Sequence, residues 1–336
     1  MILATLQANH KAGASLAAKA LKLARQRSFQ ITAAIVLLAA LVINAPGLLS
    51  LGYLAYYSAR VAVLEDAPAW SAADTLLVVA PHPDDEVVAC AGSILQALKA
   101  GARVHIVWVT SGDGFEWDEI LLSHTPDPGH VRMLELGQRR MEESQRAVAI
   151  LGVPAENLHF LGYPDGDLSR LLEQRGDNPL TSRHTRVSAV PYDQAVTPGN
   201  AYTAQNLESD FNKVLDEVAP TVVLAPSTHD AHPDHRATAH LVELLLARGG
   251  KLSALRSWIV HGGLEWPTPK GWHSKLPLEP PPRGKSLIWQ KVDLDDQAVK
   301  LKSQALRAYK SQLKALDRFL AAFVRRNELL SPGTEP

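Results

Sequence analysis

The stretch Leu76-Leu77-Val78-Val79-Ala80-Pro81-His82-Pro83-Asp84-Asp85-Glu86 decides the fold class of this chain. Four apolar residues in a row, with no polar alternation, mark a strand buried on both faces. Such strands belong to parallel sheets covered by helices. Two prolines then hold the backbone extended. His82, Asp84, Asp85 and Glu86 put four side chains that bind metals or move protons directly after the strand, and a helical pattern runs from Glu86 to Lys99.

The same order of strand, polar turn and helix recurs downstream. Val104–Val109, Leu158–Leu161, Val222–Ala225 and Trp258–Val260 read as further strands. Arg132–Leu151, Ala204–Val218 and His235–Arg248 read as further helices, with Gly101 and Gly152 suited to helix C-termini. Alternation of this kind predicts an α/β fold: a Rossmann-like, mostly parallel sheet flanked by helices, with an N-terminal transmembrane helix.

Four strand ends carry polar turns. The first runs into His82 and the acidic residues, the second into Thr110-Ser111-Gly112-Asp113-Gly114, the third into Tyr163-Pro164-Asp165-Gly166 and the fourth into His229–His235. In open α/β sheets ligands bind outside the carboxyl ends of the strands, so these turns are expected to share one site.

Composition bounds the rest. The 336 residues are 46% hydrophobic and 21% charged with a formal net charge of -1, which gives no electrostatic basis for nucleic-acid binding. The single cysteine, Cys90, excludes an internal disulfide and reads as a small buried apolar residue. No Asp, Glu, Lys or Arg occurs from Ser28 to Ala59, and upstream lie Lys11, Lys19, Lys22, Arg25 and Arg27. That uncharged length exceeds the ~20 residues a spanning helix needs. The positive-inside rule then predicts residues 1–28 as a cytoplasmic leader, 29–59 as a single-pass signal anchor in the lipid bilayer and the remainder outside the cytoplasm. A cleaved secretory signal, or a hairpin broken at Pro46-Gly47 that leaves the domain cytoplasmic, are the alternatives.

Residues 60–74 read as a linker, 75–326 as the domain and 327–336 as a frayed tail. The irregular stretches 167–203 and 264–290 are long for loops of a compact domain and suit lids or binding loops. In the second, Trp266, Trp272 and Trp289 suit a hydrophobic clamp or a sugar-stacking rim. One long helix is expected over Asp296–Arg326.

A catalytic zinc takes three protein ligands, nitrogen or carboxylate, and keeps one position open. His82 and Asp85, three residues apart in a strand-to-helix turn, offer two. The cluster His232-Pro233-Asp234-His235 offers the third. Asp84, His232 and Asp234 then remain for proton transfer and for stabilising an oxyanion, as amide hydrolysis requires. Plainer readings exist for each cluster, since Asp84-Asp85-Glu86 suits an acidic first turn and Asp234 an N-cap. Two such clusters, each ending a strand and opening a helix, favour a site.

Both clusters resemble the paired signatures of the PIG-L (LmbE-like) zinc deacetylases. The resemblance also covers Thr110–Gly114, Arg140-Met141-Glu142-Glu143 through Leu151-Gly152-Val153, and Phe160–Gly166, and spans roughly residues 75 to 262. It implies that His82, Asp85 and His235 bind zinc and that Asp84 is the general base. It further implies that His232 is an imidazolium-type donor to the oxyanion, with Asp234 orienting that imidazole. Arg140, Asp165 and Asp113 match positions near the sugar. The implied reaction removes acetyl from an N-acetylglucosamine-type sugar on a glycan or glycolipid. A metal-dependent phosphoesterase or amidase, or a membrane-tethered carbohydrate-binding protein without turnover, are the rivals.

Overall fold

The computed structural model describes residues 22–23, 25–38, 52, 54–126, 128–174, 178–263 and 266–332. The chain divides into two units, Met1–Tyr56 and Tyr57–Pro336. In the first unit, residues 25–38 are helical with their apolar side chains exposed, Phe29 at 74%. Residues 39–51 of the expected membrane anchor lie outside the described residues. Among the described residues no helix is long and apolar enough to cross a membrane.

The second unit is built on an eight-stranded sheet. Its strands are β1 (Glu65–Asp66), β2 (Thr75–Ala80), β3 (Arg103–Thr110), β4 (Leu158–Tyr163), β5 (Val222–Pro226), β6 (Leu255–Trp258), β7 (Gln290–Asp293) and β8 (Asn327–Pro332). Their order is β1-β7-β8-β6-β5-β2-β3-β4. The five strands from β6 to β4 run parallel, and β8 is antiparallel to both its neighbours. All six residues of β2 are buried, as the unbroken apolar run requires of a strand covered on both faces.

The helices are α1 (Asp85–Lys99), α2 (Glu116–Ser123), α3 (Gly129–Leu151), α4 (Leu168–Glu173), α5 (Ala204–Val218), α6 (Pro233–Arg248), α7 (Asp296–Leu306) and α8 (Gln312–Ala321). The chain leaves β2 through α1 towards β3, and leaves β5 through α6 towards β6 on the other side. Since β2 and β5 are neighbours, Val78 facing Leu224, the strand order reverses between them. The two motif-bearing turns follow these two strands, at the crevice where α/β folds bind ligands.

Three expectations are corrected. Residues 60–74 are not a free linker: Glu65–Asp66 pair with β7, Ala67 N–H donates to Lys291 O at 2.8 Å, and Arg60 bridges Glu279 at 2.9 Å. The helix expected over Asp296–Arg326 is two helices, broken where Ser311 turns inward to give its N–H and hydroxyl to Glu143. The tail expected to fray from Asn327 is strand β8, inside the sheet. Glu328 is the reason: buried, it pairs with buried Lys302 at 2.7 Å and accepts from Gly92 N and Ser93 N of α1. Residues 333–336 lie outside the described residues.

The long stretch after β4 contributes to the core, with Tyr192 and Tyr202 buried and Ala195 bridged to Phe160. Trp266 and Trp289 are buried too, which fits the clamp rather than a sugar-stacking rim.

Candidate active site

The turn after β2 is held from several sides. Asp84 adopts φ 129°, ψ -31°, a conformation that costs a residue with a Cβ and persists only where its surroundings fix it. Here Asp84 N–H donates to Glu86 Oε2 at 3.1 Å, and Pro83 O accepts from Arg140 Nη2 at 3.0 Å and Gln312 Nε2 at 2.8 Å. Glu86 is anchored by the Trp108 indole at 3.0 Å and by the Tyr309 hydroxyl. It is a structural residue of the turn, as its place at the helix start suggests.

Beside this turn three donor atoms form a small triangle. His82 Nδ1 lies 3.3 Å from Asp85 Oδ2, His235 Nε2 lies 3.2 Å from Asp85 Oδ2, and His235 Nε2 lies 3.3 Å from His82 Nδ1. A tetrahedral zinc with bonds of about 2.0–2.1 Å has ligand atoms about 3.3 Å apart, so these three residues fit that ion. His82, His232 and His235 also place ring nitrogens within 4.8 Å of one another.

Each histidine of the triangle has a carboxylate on its other nitrogen. His82 Nε2 lies 3.1 Å from Asp165 Oδ1 and 3.4 Å from Asp234 Oδ2. His235 Nδ1 lies 3.2 Å from Asp230 Oδ2. Carboxylates placed so fix ring orientation and raise ligand basicity. Asp230 is fully buried and also accepts the N–H groups of His232, Val260 and His261 at 2.8, 2.9 and 3.0 Å.

Electrostatics agrees with a cation site. Burial opposes charge on His235, yet Asp85 and Asp230 push its pKa up to about 10. Burial likewise opposes charge on His82, and Asp165, Asp234 and Asp85 raise it well above the usual value. Carboxylates that hold protons on these rings would equally hold a divalent ion, which binds by displacing them. Burial and then the charge of Asp85 push Asp84 well above the usual carboxylate range, against Arg140 and His82. Asp84 is thereby more basic than an exposed aspartate, as a proton acceptor needs.

Asp84, His232, Arg140 and Asp165 line a cleft of about 520 Å³ that opens over the triangle, within the usual size of ligand pockets. Arg140 donates to Gly112 O at 2.9 Å and lies 3.6 Å from Asp84, so it ties two strand-end turns together. Gly112 is needed for that approach: at φ +69°, a Cβ there would sit 2.4 Å from the guanidinium. Asp165 is held by Gly114 N at 2.9 Å.

Two residues are placed differently from what the family resemblance implies. Asp113 is buried beneath the cleft, where Tyr192 OH donates to it at 2.7 Å and Asp165 N–H at 3.2 Å; it shapes the turn carrying Asp165. The Asp234 carboxylate does not reach out to His232. It accepts from Gly166 N at 2.6 Å and Leu168 N at 3.2 Å and faces His82, because the start of α6 packs under the turn after β4. His232 instead accepts the backbone N–H of Asp234 on Nδ1 at 3.2 Å, leaving the proton on Nε2. Burial, then His82, His235 and His261, push its pKa down to about 2, which favours the neutral ring.

The sequence reading missed Asp230 and His261. Asp230 lies inside the polar end of the fourth strand, two residues before His232. His261 follows the fifth parallel strand, β6, and its ring centre lies 5.1 Å from that of His232. A search for polar residues at every parallel strand end would have named both.

Comparison with known proteins agrees with this geometry. The family described as PIG-L, GlcNAc-PI de-N-acetylase, matches residues 77–246, just over half of the chain. The 1D-myo-inositol 2-acetamido-2-deoxy-alpha-D-glucopyranoside deacetylase of Kribbella flavida is 30% identical over 202 residues, 58% of this chain and 59% of that enzyme. The diacetylchitobiose deacetylase of Thermococcus kodakarensis is 26% identical over 169 residues, 49% of this chain and 46% of that enzyme. This chain thus spans less than two thirds of the length of these relatives. Among solved structures, the A40926 pseudoaglycone deacetylase shares the fold, with a TM-score of 0.52 at 21% identity over 77% of this chain and 96% of that one. This chain belongs to the PIG-L family.

Proposed function

We propose that this protein is a zinc-dependent deacetylase that hydrolyses the acetamide of an N-acetylglucosamine-type sugar on a glycan or glycolipid. The observation that carries the reading is the triangle of His82, Asp85 and His235 donor atoms, 3.2–3.3 Å apart, with Asp84 and His232 in the cleft beside it. The names of the relatives support the substrate class.

His82, Asp85 and His235 would hold the ion, which supplies Lewis acidity and lowers the pKa of its water towards ~7. Asp84, kept basic by burial beside Asp85, takes the proton of the attacking water. His232 donates its Nε2–H to the oxygen of the acetyl group as negative charge gathers there. When the C–N bond breaks, the proton held by Asp84 passes to the leaving nitrogen. Acetate and a free amino sugar result, and Asp84 returns to its starting state. Arg140 and Asp165 hold the turns that flank the sugar.

We also propose residues 29–59 as a single membrane span with the hydrolase domain outside the cytoplasm. The uncharged stretch from Ser28 to Ala59, the basic leader and the exposed Phe29, Ile31, Ile35 and Leu38 support it. Protease digestion of intact cells tests it, since a domain protected until lysis would place it on the cytoplasmic side.

The activity test uses the full chain in detergent against a panel of N-acetyl sugars and phosphoesters. Acetate release that stops with a chelator and returns with zinc is expected. Undiminished turnover after all metal is removed would sink the reading, and phosphoester cleavage without acetate release would replace it.

A further inference from the structure

The chain enters its second unit at one place on the surface. The uncharged stretch ends at Ala59, and Tyr57 and Val61, on either side of that end, are both buried. Arg60 bridges Glu279 at 2.9 Å, and Tyr57 is near enough to buried Arg325 to act on its charge. Arg325 donates in turn to Pro269 O at 2.5 Å and to His273 O at 3.2 Å. Gly271 N–H donates to Arg318 O of α8 at 2.8 Å, and the Arg307 guanidinium lies over the Trp272 ring at 4.0 Å. Residues 269–273 therefore join the entry point of the chain to α8.

Helix α8 has two unlike sides. Leu316, Phe319 and Leu320 line the cleft, together with Lys270, whose ammonium lies 4.6 Å from the centre of the Phe319 ring. Lys314 and Arg318, one turn apart, are exposed on another side, and exposed Lys310 precedes them at the same spacing. Lys275 is exposed on the adjoining segment. Among the described residues none of Lys275, Lys310, Lys314 and Arg318 is paired with a carboxylate. No acidic residue occurs from Trp266 to Leu278, and Asp317 is the only one from Tyr309 to Arg326. In a chain of net charge -1 this is a local excess of one sign.

A small anion would meet one or two of these side chains, whereas a charged surface meets all four. Such a surface is expected at this place, because the chain arrives here directly from its long uncharged stretch. We propose that Lys275, Lys310, Lys314 and Arg318 dock this unit on an anionic lipid bilayer, with the outer side of α8 against the headgroups and the rim of the cleft beside them. This rests on the membrane span proposed for residues 29–59, and goes beyond it by naming the face that the unit turns to the lipid.

The test places a fluorescent donor on the full chain through Ser274→Cys, next to the face, or through Ala155→Cys, which precedes the amino end of β4 and so lies away from the cleft. Both positions are exposed, and the native Cys90 is buried. The chain is reconstituted in vesicles of phosphatidylcholine, with or without phosphatidylglycerol, that carry an acceptor-labelled lipid. Energy transfer from position 274 is expected to exceed that from position 155 and to rise with phosphatidylglycerol. It should fall in about 1 M salt, where the screening length is about 3 Å. Each basic residue at an anionic surface is worth about five-fold in binding, so Lys310→Glu with Lys314→Glu should lower the docked-to-undocked ratio at least about twenty-five-fold. Arginine at both positions should retain it. Thermal melting separates a lost face from a lost fold, and the salt series on unreversed charges decides if the double variant does not fold. Equal transfer from the two positions, or transfer from 274 indifferent to lipid charge and salt, overturns the docking face. Binding of the chain to soluble heparin without any effect of lipid charge overturns it too, and makes the partner a soluble polyanion. Alkaline carbonate reads the span separately: a chain that it releases has no membrane span, and the dependence of transfer on lipid charge still decides the face.

Discussion

Asp230 Oδ2 lies 3.2 Å from His235 Nδ1, at the opposite nitrogen of the ring from the one that faces Asp85. The same carboxylate accepts three backbone N–H groups from the turns after β5 and β6. It therefore sets the direction in which His235 offers its free nitrogen. Asp230→Ala is expected to weaken zinc binding about 10–100-fold. Competition with a chromophoric chelator measures this without reference to turnover, and an unchanged affinity would deny Asp230 its positioning role.

In the proposed mechanism Asp84 shares its turn with Asp85 but not its task. Asp84→Asn should keep zinc at full stoichiometry while kcat falls by about 10²–10⁴. Asparagine has the size and shape of aspartate, and the hydrogen bonds that hold the turn run through Asp84 N–H and Pro83 O rather than through the replaced carboxylate. Metal analysis and acetate release on one preparation decide the point. A variant that loses zinc in proportion to its activity would make Asp84 a ligand.

Asp113 gives the fold a pH dependence of known sign. Burial raises its pKa from 3.8 to about 7, against the hydrogen bond from Tyr192. A carboxyl group with a raised folded-state pKa contributes most below its unfolded pKa, and that contribution is lost as pH rises through about 7. Between pH 5 and pH 7 the loss is about 1.4 kcal/mol per unit, roughly 3 kcal/mol in all. Asp113→Asn should gain on the unmodified protein by this order as the buffer moves from pH 5 to pH 8. Denaturation midpoints that differ by a constant across that range would refute it.

Glu328 tests whether the last strand holds the fold together. Its carboxylate joins Lys302 to the backbone of α1 in a region closed to water. Glu328→Ala leaves the buried ammonium with Val88 O but without its counter-charge, a loss of about 3–5 kcal/mol. Urea unfolding measures it. A change below about 1 kcal/mol, the range of an exposed pair, would return this segment to the status of a loose tail.

Much of this was legible in the chain because the signals were local. The apolar run before Pro81 and the helix after Asp84 required only neighbouring residues to interpret, and helix Ala204–Val218 has the boundaries its periodicity predicts. The C-terminal strands were not legible. In Asn327–Pro332 a glutamate follows the asparagine, which suggests exposure, and its buried partners, Lys302 and the backbone of Gly92 and Ser93, are supplied by other segments of the chain. The helix break at Ser311 is equally non-local, since its cause is Glu143 on α3.

The site divides in the same way. Sequence alone named most of the candidate groups, because histidines and aspartates after two apolar strands are the residue types that a metal site and a proton acceptor require. Asp230 and His261 were not among them. Tertiary structure decided their partners. Reversal of strand order between β2 and β5 brought His82 and His235 within 3.3 Å. It turned Asp234 towards His82 rather than His232, buried His232 among other histidines, which lower its pKa, and put Asp230 behind His235. Those outcomes depend on angles and distances between segments some 150 residues apart, and residue order does not encode such geometry locally.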